Sequence, residues 1–277
     1  ILDAVFREAP TPIITHCEDT PMIDAAFAEY QARYGEDIPV ACHPAIRSRE
    51  ACIKSTRLAL ELARRHGTQL HVLHISTADE LALFEQGPLI RADGSRKRIT
   101  AETCVHFTRF ARGDYARLGN LIKCNPAIKD PADRQALIAA LVDDVVDVLA
   151  TDHAPHPHED KDCEWAAAAM GMVGLETALS VVQETMVDTG LLDWAGVADR
   201  MSAKPAQIGQ ATGHGRPVSA GEPANLTLVD TAYRGQVDPA GFASRSRNTP
   251  YQGRELPGRV THTWLRGKAT LVDGKLT

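Results

Sequence analysis

Residues 145–160 read VVDVLATDHAPHPHED. A run of Val, Leu and Ala stops at Asp152, and histidines and prolines follow at once. A short apolar run bounded by a Pro-rich polar stretch reads as a buried strand of a parallel sheet. A strand that only had to turn would end in Gly, Asn or Ser. Carboxylates are rarely buried unless paired or bound to metal. Asp152, with His153 and His156 beside it, therefore marks a site at the C-terminal end of a strand.

Working outward, the same texture recurs. TPIITH (11–16), QLHVLHIS (69–76), RITAETC (98–104) and GNLIKCN (119–125) also read as buried strands. Helical patterns lie between them. EACIKSTRLALELARRHG carries apolar residues at Cys52, Ile53, Leu58, Leu60 and Leu62, and Gly67 is a C-terminal stop. TADELALFEQG opens on a capping box, Thr77 to Glu80. DPADRQALIAALVDD has Asp130 as its cap and Pro131 in its first turn. Strand and helix in alternation predict a parallel sheet with crossover helices. The polar residues that stand out, His16, His74, Asn125 and Asp152, all fall at strand C-termini. That end is the catalytic face of a (β/α)₈ barrel and the ligand face of an open doubly wound sheet. No GxGxxG or Walker sequence follows any strand, so a nucleotide site is not indicated.

After about residue 209 the texture changes. ANLTLVD, VTHTWLRG and KATLVDGK are short β-rich runs broken by Gly and Pro. Residues 1–208 are read as the α/β portion and 209–277 as a small β-rich domain. PHPHEDKD (155–162) is polar and reads as a loop.

Side chains alternate along a strand. If His74 points inward, so do Val72 and Leu70, while His71 points out toward the helices. The same count puts Ile14 with His16, and Val148 and Ala150 with Asp152. Imidazole and carboxylate together suit a borderline divalent ion, most often zinc. A catalytic zinc lowers the pKa of bound water to about 7. A carboxylate at such a site can take a proton and later deliver it to a leaving nitrogen, and Asp152 is placed for that role. Taken singly, each of His16, His74 and Asp152 has a bland reading as a rim residue or a cap. Their joint occurrence at three strand ends favours metal.

Composition narrows the classes. The 277 residues carry a net charge of −6 with no basic block, which argues against a nucleic-acid partner. No apolar run reaches the length of a membrane span. The six cysteines form no CxxC pair or regular framework, as expected of reduced thiols in a cytoplasmic protein. His43, His66, His214 and His262 read as surface or packing residues, and His106 is given no role.

At these residues the chain resembles a known family. THCED, HVLHIST, ITAETC, KCNPAIKD, ATDHAPH and GMVGLETAL are similar to successive motifs of the dihydroorotases, in the cyclic-amidohydrolase superfamily. GEPANLTLVD and LRGKATLVDGK resemble that family's small β domain. The resemblance implies the second half of a metal-dependent (β/α)₈ barrel, about strands five to eight, plus part of a small C-terminal β domain. It implies a binuclear zinc site and the reversible closure of N-carbamoyl-L-aspartate to dihydroorotate in pyrimidine synthesis. By motif position His16 and His74 would be ligands of one zinc. Asp152 would be a ligand of the other as well as the general base. Asn125 and His156 would contact substrate, His156 near its carboxylate, and Val173 and Gly174 would meet the ring through backbone groups. His156 favours dihydroorotate, because relatives acting on allantoin tend to carry Cys there and hydantoinases an apolar residue. His153 and His158 are expected behind the ligands or in water.

The family's HxH ligand pair, its bridging lysine carbamate or aspartate and its substrate-gripping arginine have no counterpart here. The chain is therefore expected to represent the later half of a longer enzyme and, alone, to be poorly soluble or inactive. The ligand set for two zinc ions is incomplete within it. Competing expectations are a hydantoinase or allantoinase activity, and a non-catalytic dihydroorotase-like scaffold. A homodimer or an association with aspartate carbamoyltransferase is an expected partnership.

Overall fold

The computed structural model describes all 277 residues. The chain falls into two compact units, residues 1–174 with 242–250, and residues 175–241 with 251–277. No helix is long and apolar enough to cross a membrane.

The first unit is built on a four-stranded parallel sheet, β1 (Ile13–Thr15), β2 (Leu70–Val72), β3 (Ile99–Cys104) and β4 (Val148–Ala150), in that spatial order. Helices α1 (Leu2–Glu8), α2 (Thr20–Tyr34), α3 (His43–Ile46), α4 (Arg49–His66) and α5 (Ala78–Leu81) occupy the first half of this unit. Helices α6 (Val105–Arg109), α7 (Tyr115–Leu118) and α8 (Pro131–Val142) follow β3. The predicted starts of these helices hold, but α5 stops at Leu81 instead of running on through the LALFEQG stretch. Ser48 caps α4 by accepting from the Ala51 N–H, and Gly67 closes it in the left-handed conformation at φ 65°. Thr77 caps α5 at Glu80, and Asp130 with Asp133 forms the box that starts α8 behind Pro131. The buried face of α4 differs from expectation in two residues, Ile53, which is only half-buried, and Leu58. Leu58 is exposed, and the face is made of small residues, Ala51, Cys52, Ala59 and Ala63 among them, which allow close packing.

One predicted strand is absent. GNLIKCN forms a tight 3₁₀ turn at Gly119–Ile122 instead. Gly119 ends α7 at φ 52°, and the two apolar residues after Asn120 are too few to form a ladder. Lys123 then turns inward, and its ammonium donates to the carbonyls of Trp165 and Ala168, both at 2.5 Å. Backbone polar groups that are buried need partners, and here a lysine rather than a neighbouring strand supplies them.

Register settles which side chains share a face. His71 pairs with Ile14 on one side and Thr100 on the other, and Glu102 pairs with Val148. Residues paired across a parallel sheet lie on the same face. His71, Thr100, Glu102 and Cys104 therefore share the face of Val148, Ala150 and, one step beyond, Asp152. His71 is buried and bonds Thr100 Oγ1 at 2.8 Å and Glu102 Oε2 at 3.1 Å. The expected assignment of His71 to the outer face is thus reversed. Alternation fails after Val72 because β2 ends there and His74 adopts φ 40°, which returns its ring to the face it would otherwise leave.

The second unit contains α9 (Ala178–Val182), α10 (Trp194–Ala198) and α11 (Lys204–Ile208). Its antiparallel sheet is β5 (Leu226–Gln236), β6 (Glu255–Leu265), β7 (Lys268–Val272) and β8 (Lys275–Leu276), paired in sequence order. The β-rich runs of this region do form strands, but β5 and β6 extend to 11 residues each, longer than the short runs read from the sequence, while β7 and β8 are short.

Candidate metal and substrate site

His16 lies one residue past β1, and His74 two residues past β2. Their rings meet edge to face, with His16 Nδ1 2.9 Å from His74 Nε2. Two imidazole nitrogens bound to one tetrahedral zinc at roughly 2.0–2.1 Å stand about 3.3 Å apart. A few tenths of an ångström of opening would let an ion enter between them. His74 is buried, and its Nδ1 has no hydrogen-bond partner. Burial, helped by the neighbouring His16, pushes its pKa down to about 4. The ring is therefore neutral at pH 7, the form that ligates metal.

The other nitrogen of His16 is also engaged. Glu18 Oε2 lies 3.0 Å from His16 Nε2, and Arg47 Nη1 donates to the same oxygen at 2.5 Å. Burial of the Glu18 carboxyl works against ionisation, but His16, Arg47 and Lys129 override it and hold its pKa below the usual value. A carboxylate on the far nitrogen fixes the tautomer of a ligating histidine and strengthens its lone pair. Sequence reading passed over Glu18 because the acid and its target are two residues apart in a segment without regular structure. Glu18→Gln is expected to weaken metal binding about 10- to 100-fold. Calorimetric titration with Zn²⁺ measures this, and an unchanged affinity would reduce Glu18 to a partner of Arg47.

Asp152 sits two residues past β4 at φ 44°. Asp tolerates this left-handed conformation better than most residues. Such outliers gather at functional sites, and both His74 and Asp152 are of this kind. Burial raises the Asp152 pKa, the nearby Glu102 carboxylate adds to the effect, and His16 opposes it. Asp152 offers one oxygen to a cluster with Cys104 and His106 in which all three ligand atoms lie within 4.8 Å of one another. The His16–His74 pair stands outside that cluster. The structure thus brings the two histidines into contact with each other, and places Asp152 next to a thiol and a third imidazole.

The loop after Asp152 carries the other residues expected from motif position. His156 Nε2 is 3.1 Å from the Met170 carbonyl, and Asn248 donates to the His156 carbonyl at 2.8 Å. Asn125 Nδ2 contacts Met170 Sδ at 2.5 Å, while its buried Oδ1 has no partner. Val173 is buried, and the Gly174 N–H donates to His153 Nδ1 at 3.2 Å. His153 bridges Met172 in parallel, so 171–174 runs alongside 152–156. Gly171 makes the approach possible. At φ 141°, a Cβ there would lie 2.5 Å from the Ala154 methyl. The polar loop at 155–162 is not free. Lys161 donates to the carbonyls of Lys123, Ala169 and Gly171 at 2.9–3.2 Å. Burial lowers the pKa of both Lys123 and Lys161 to about 8.

Comparison with known proteins locates this arrangement. No protein-family model matches the chain. It is 68% identical over 216 residues to a dihydroorotase of Streptomyces coelicolor, covering 78% of this chain and 49% of that protein. A dihydroorotase of Leifsonia xyli is 40% identical over 262 residues, covering 95% and 58%. The chain is thus similar to a part of these curated dihydroorotases. It spans about half the length of the curated relatives it matches. Among solved structures it superposes on an L-hydantoinase (dihydropyrimidinase) from Arthrobacter aurescens with a TM-score of 0.89 at 26% identity, covering all of this chain and 61% of that one. A D-hydantoinase from Thermus sp. gives 0.85 at 21% identity, over 98% and 59%, and shows the shared fold. The four parallel strands therefore form part of a barrel of the amidohydrolase type, followed by a β domain as in those neighbours.

Proposed function

We propose that the protein carrying this chain is a zinc-dependent dihydroorotase that interconverts N-carbamoyl-L-aspartate and dihydroorotate in pyrimidine biosynthesis. The observation that carries the reading is the 2.9 Å approach of His16 Nδ1 and His74 Nε2 at the ends of two parallel strands, with Glu18 behind His16. These residues fit a metal ion. His16 and His74 would hold it, with Asp152 as the carboxylate of a binuclear centre. When bound, the metal would supply Lewis acidity toward the ring amide carbonyl. The barrel portion is proposed as 1–208 and the β domain as 209–277, a boundary set at the end of the last helix and not at the division into compact units, which falls after Gly174.

In this reading Asp152 accepts the proton of the attacking water and returns it to the leaving ring nitrogen. Its raised pKa makes it a stronger base than an exposed aspartate. Asn125 and His156 both flank Met170, and together offer an amide and an imidazole to the substrate carboxylate. A histidine N–H donating to a carboxylate is a strong, charge-assisted contact when the ring is protonated. Val173 and Gly174 line the ring through the backbone. The cytoplasm suits six free thiols. Self-association, or docking on aspartate carbamoyltransferase, is part of the same proposal.

Retention of His16, His74 and Asp152 argues against a metal-free scaffold. The test against other cyclic amides is direct: turnover of dihydroorotate, hydantoin and allantoin by the protein that carries this chain. Preference for hydantoin would replace the reading with a hydantoinase. His156→Ala is expected to raise KM for dihydroorotate roughly tenfold or more, the loss of one charge-assisted hydrogen bond, with zinc content unchanged. A fall in zinc stoichiometry at constant KM would remove His156 from the substrate side.

A further inference from the structure

We propose that Cys104, His106 and Asp152 form a second metal site, one that takes a thiophilic divalent cation such as Zn²⁺ or Cd²⁺ through a sulfur ligand. The proposal shares Asp152 with the dihydroorotase reading and differs from it in the sulfur ligand, which is what the test below reads.

The local chain explains the convergence. Cys104 is the last residue of β3 and the residue from which α6 starts, and His106 is in the first turn of that helix. The change from strand to helix between them turns both side chains toward one point. Cys104 pairs with Ala150 on β4, and Asp152 follows two residues later on the same face. One sulfur, one ring nitrogen and one carboxylate oxygen are thereby held within 4.8 Å of one another. The corresponding edges of a tetrahedral zinc polyhedron are about 3.3–3.6 Å. Closing the widest gap takes at most about 1.5 Å, within reach of side-chain rotation.

The alternative is a core cysteine beside a core histidine, each inert. A second observation speaks against it. His106 is 5% exposed, and its buried Nε2 has no hydrogen-bond partner. Cys104 is fully buried, and no hydrogen bond joins it to His106 or Asp152. A buried imidazole nitrogen without a partner is costly, and a cation would satisfy all three groups at once. Three protein ligands with a fourth position open is a common zinc arrangement. Thiolate selects Zn²⁺ or Cd²⁺ over Mg²⁺ or Ca²⁺. On binding, the Cys104 S–H bond breaks, a sulfur–metal bond forms, and the proton leaves to solvent.

The His16–His74 pair contains no sulfur, so spectroscopy separates the two sites. Co²⁺ is titrated into the metal-free protein that carries this chain, in a Cys42→Ser, Cys163→Ser background, which removes the two thiols of this chain that are not buried. A thiolate-to-cobalt charge-transfer band in the near ultraviolet is expected, saturating at one equivalent. Cys104→Ser is expected to abolish the band, and Cys124→Ser, a nearby buried thiol that the site does not use, to keep it. Because a core substitution can unfold the chain, X-ray absorption of the Zn²⁺-loaded background chain provides a reading with Cys104 in place. A sulfur shell at about 2.3 Å is expected, averaging below one sulfur per zinc where the sulfur-free His16–His74 pair is also loaded. A shell of nitrogen and oxygen alone overturns the proposal, as does a cobalt band that survives Cys104→Ser. Either failure leaves the His16–His74 site untouched.

Discussion

Asp152→Asn is expected to preserve the fold and to lower turnover of dihydroorotate by about 10²- to 10⁴-fold, the usual contribution of a positioned general base. Asparagine matches aspartate in shape and tolerates the same left-handed backbone, so the φ of 44° at this position is no obstacle. The amide cannot accept a proton and is a poorer metal ligand. Burial and Glu102 raise the pKa of the native carboxyl, so removing the charge also relieves a repulsion. The variant is therefore expected to unfold at the same or a slightly higher denaturant concentration than the parent. Steady-state kinetics, metal analysis and chemical denaturation together check this. Retained turnover would take the base role away from Asp152. Turnover lost in step with zinc would make it a ligand only.

Much of the fold could be read from particular residues. Ser48, Thr77 and Asp130 cap helices through contacts one turn away, and Gly67 stops one at φ 65°, so local sequence was sufficient. The family resemblance rested on several motifs in order, which is why it agrees with relatives matched over most of the chain. Where reading failed, the deciding interaction was distant. GNLIKCN has strand composition, yet Lys123 is drawn into a cage of carbonyls more than forty residues away. His71 was assigned to the wrong face because alternation was counted back from His74, past a residue whose φ of 40° breaks the count. Glu18, Arg47 and His106 gave no signal, because each acquires meaning only from a neighbour brought in by the sheet. His16 and His74 could be singled out as strand-end imidazoles, but their 2.9 Å contact spans 58 positions. The proximity of Asp152 to Cys104 follows from the β3–β4 register, which no pattern in one strand encodes.

The strand ends that bear Cys104 and Asp152 depend on a contact at the opposite end of the same two strands, and Lys97→Met tests it with a large expected effect. Lys97 precedes β3 and Asp147 precedes β4. Their charged atoms are 2.8 Å apart, with side chains 2% and 0% exposed. Asp147 also accepts the Ala101 N–H at 2.9 Å. Methionine keeps the length and apolar stem of lysine, so packing is largely conserved. What is lost is the charge opposite a carboxylate that water cannot reach. Removing one partner of a buried pair costs about 3–5 kcal/mol, and chemical denaturation of the protein is expected to show a loss of that size. The double variant Lys97→Met, Asp147→Asn separates the pair from its parts. Asparagine keeps an acceptor for the Ala101 N–H and carries no charge, so the double variant is expected to recover most of the loss. A single variant costing under about 1 kcal/mol, the range of exposed pairs, would mean that Asp147 is satisfied without Lys97. In that case the β3–β4 register, and with it the placement of Asp152 beside Cys104, would have to be held by the backbone ladder alone.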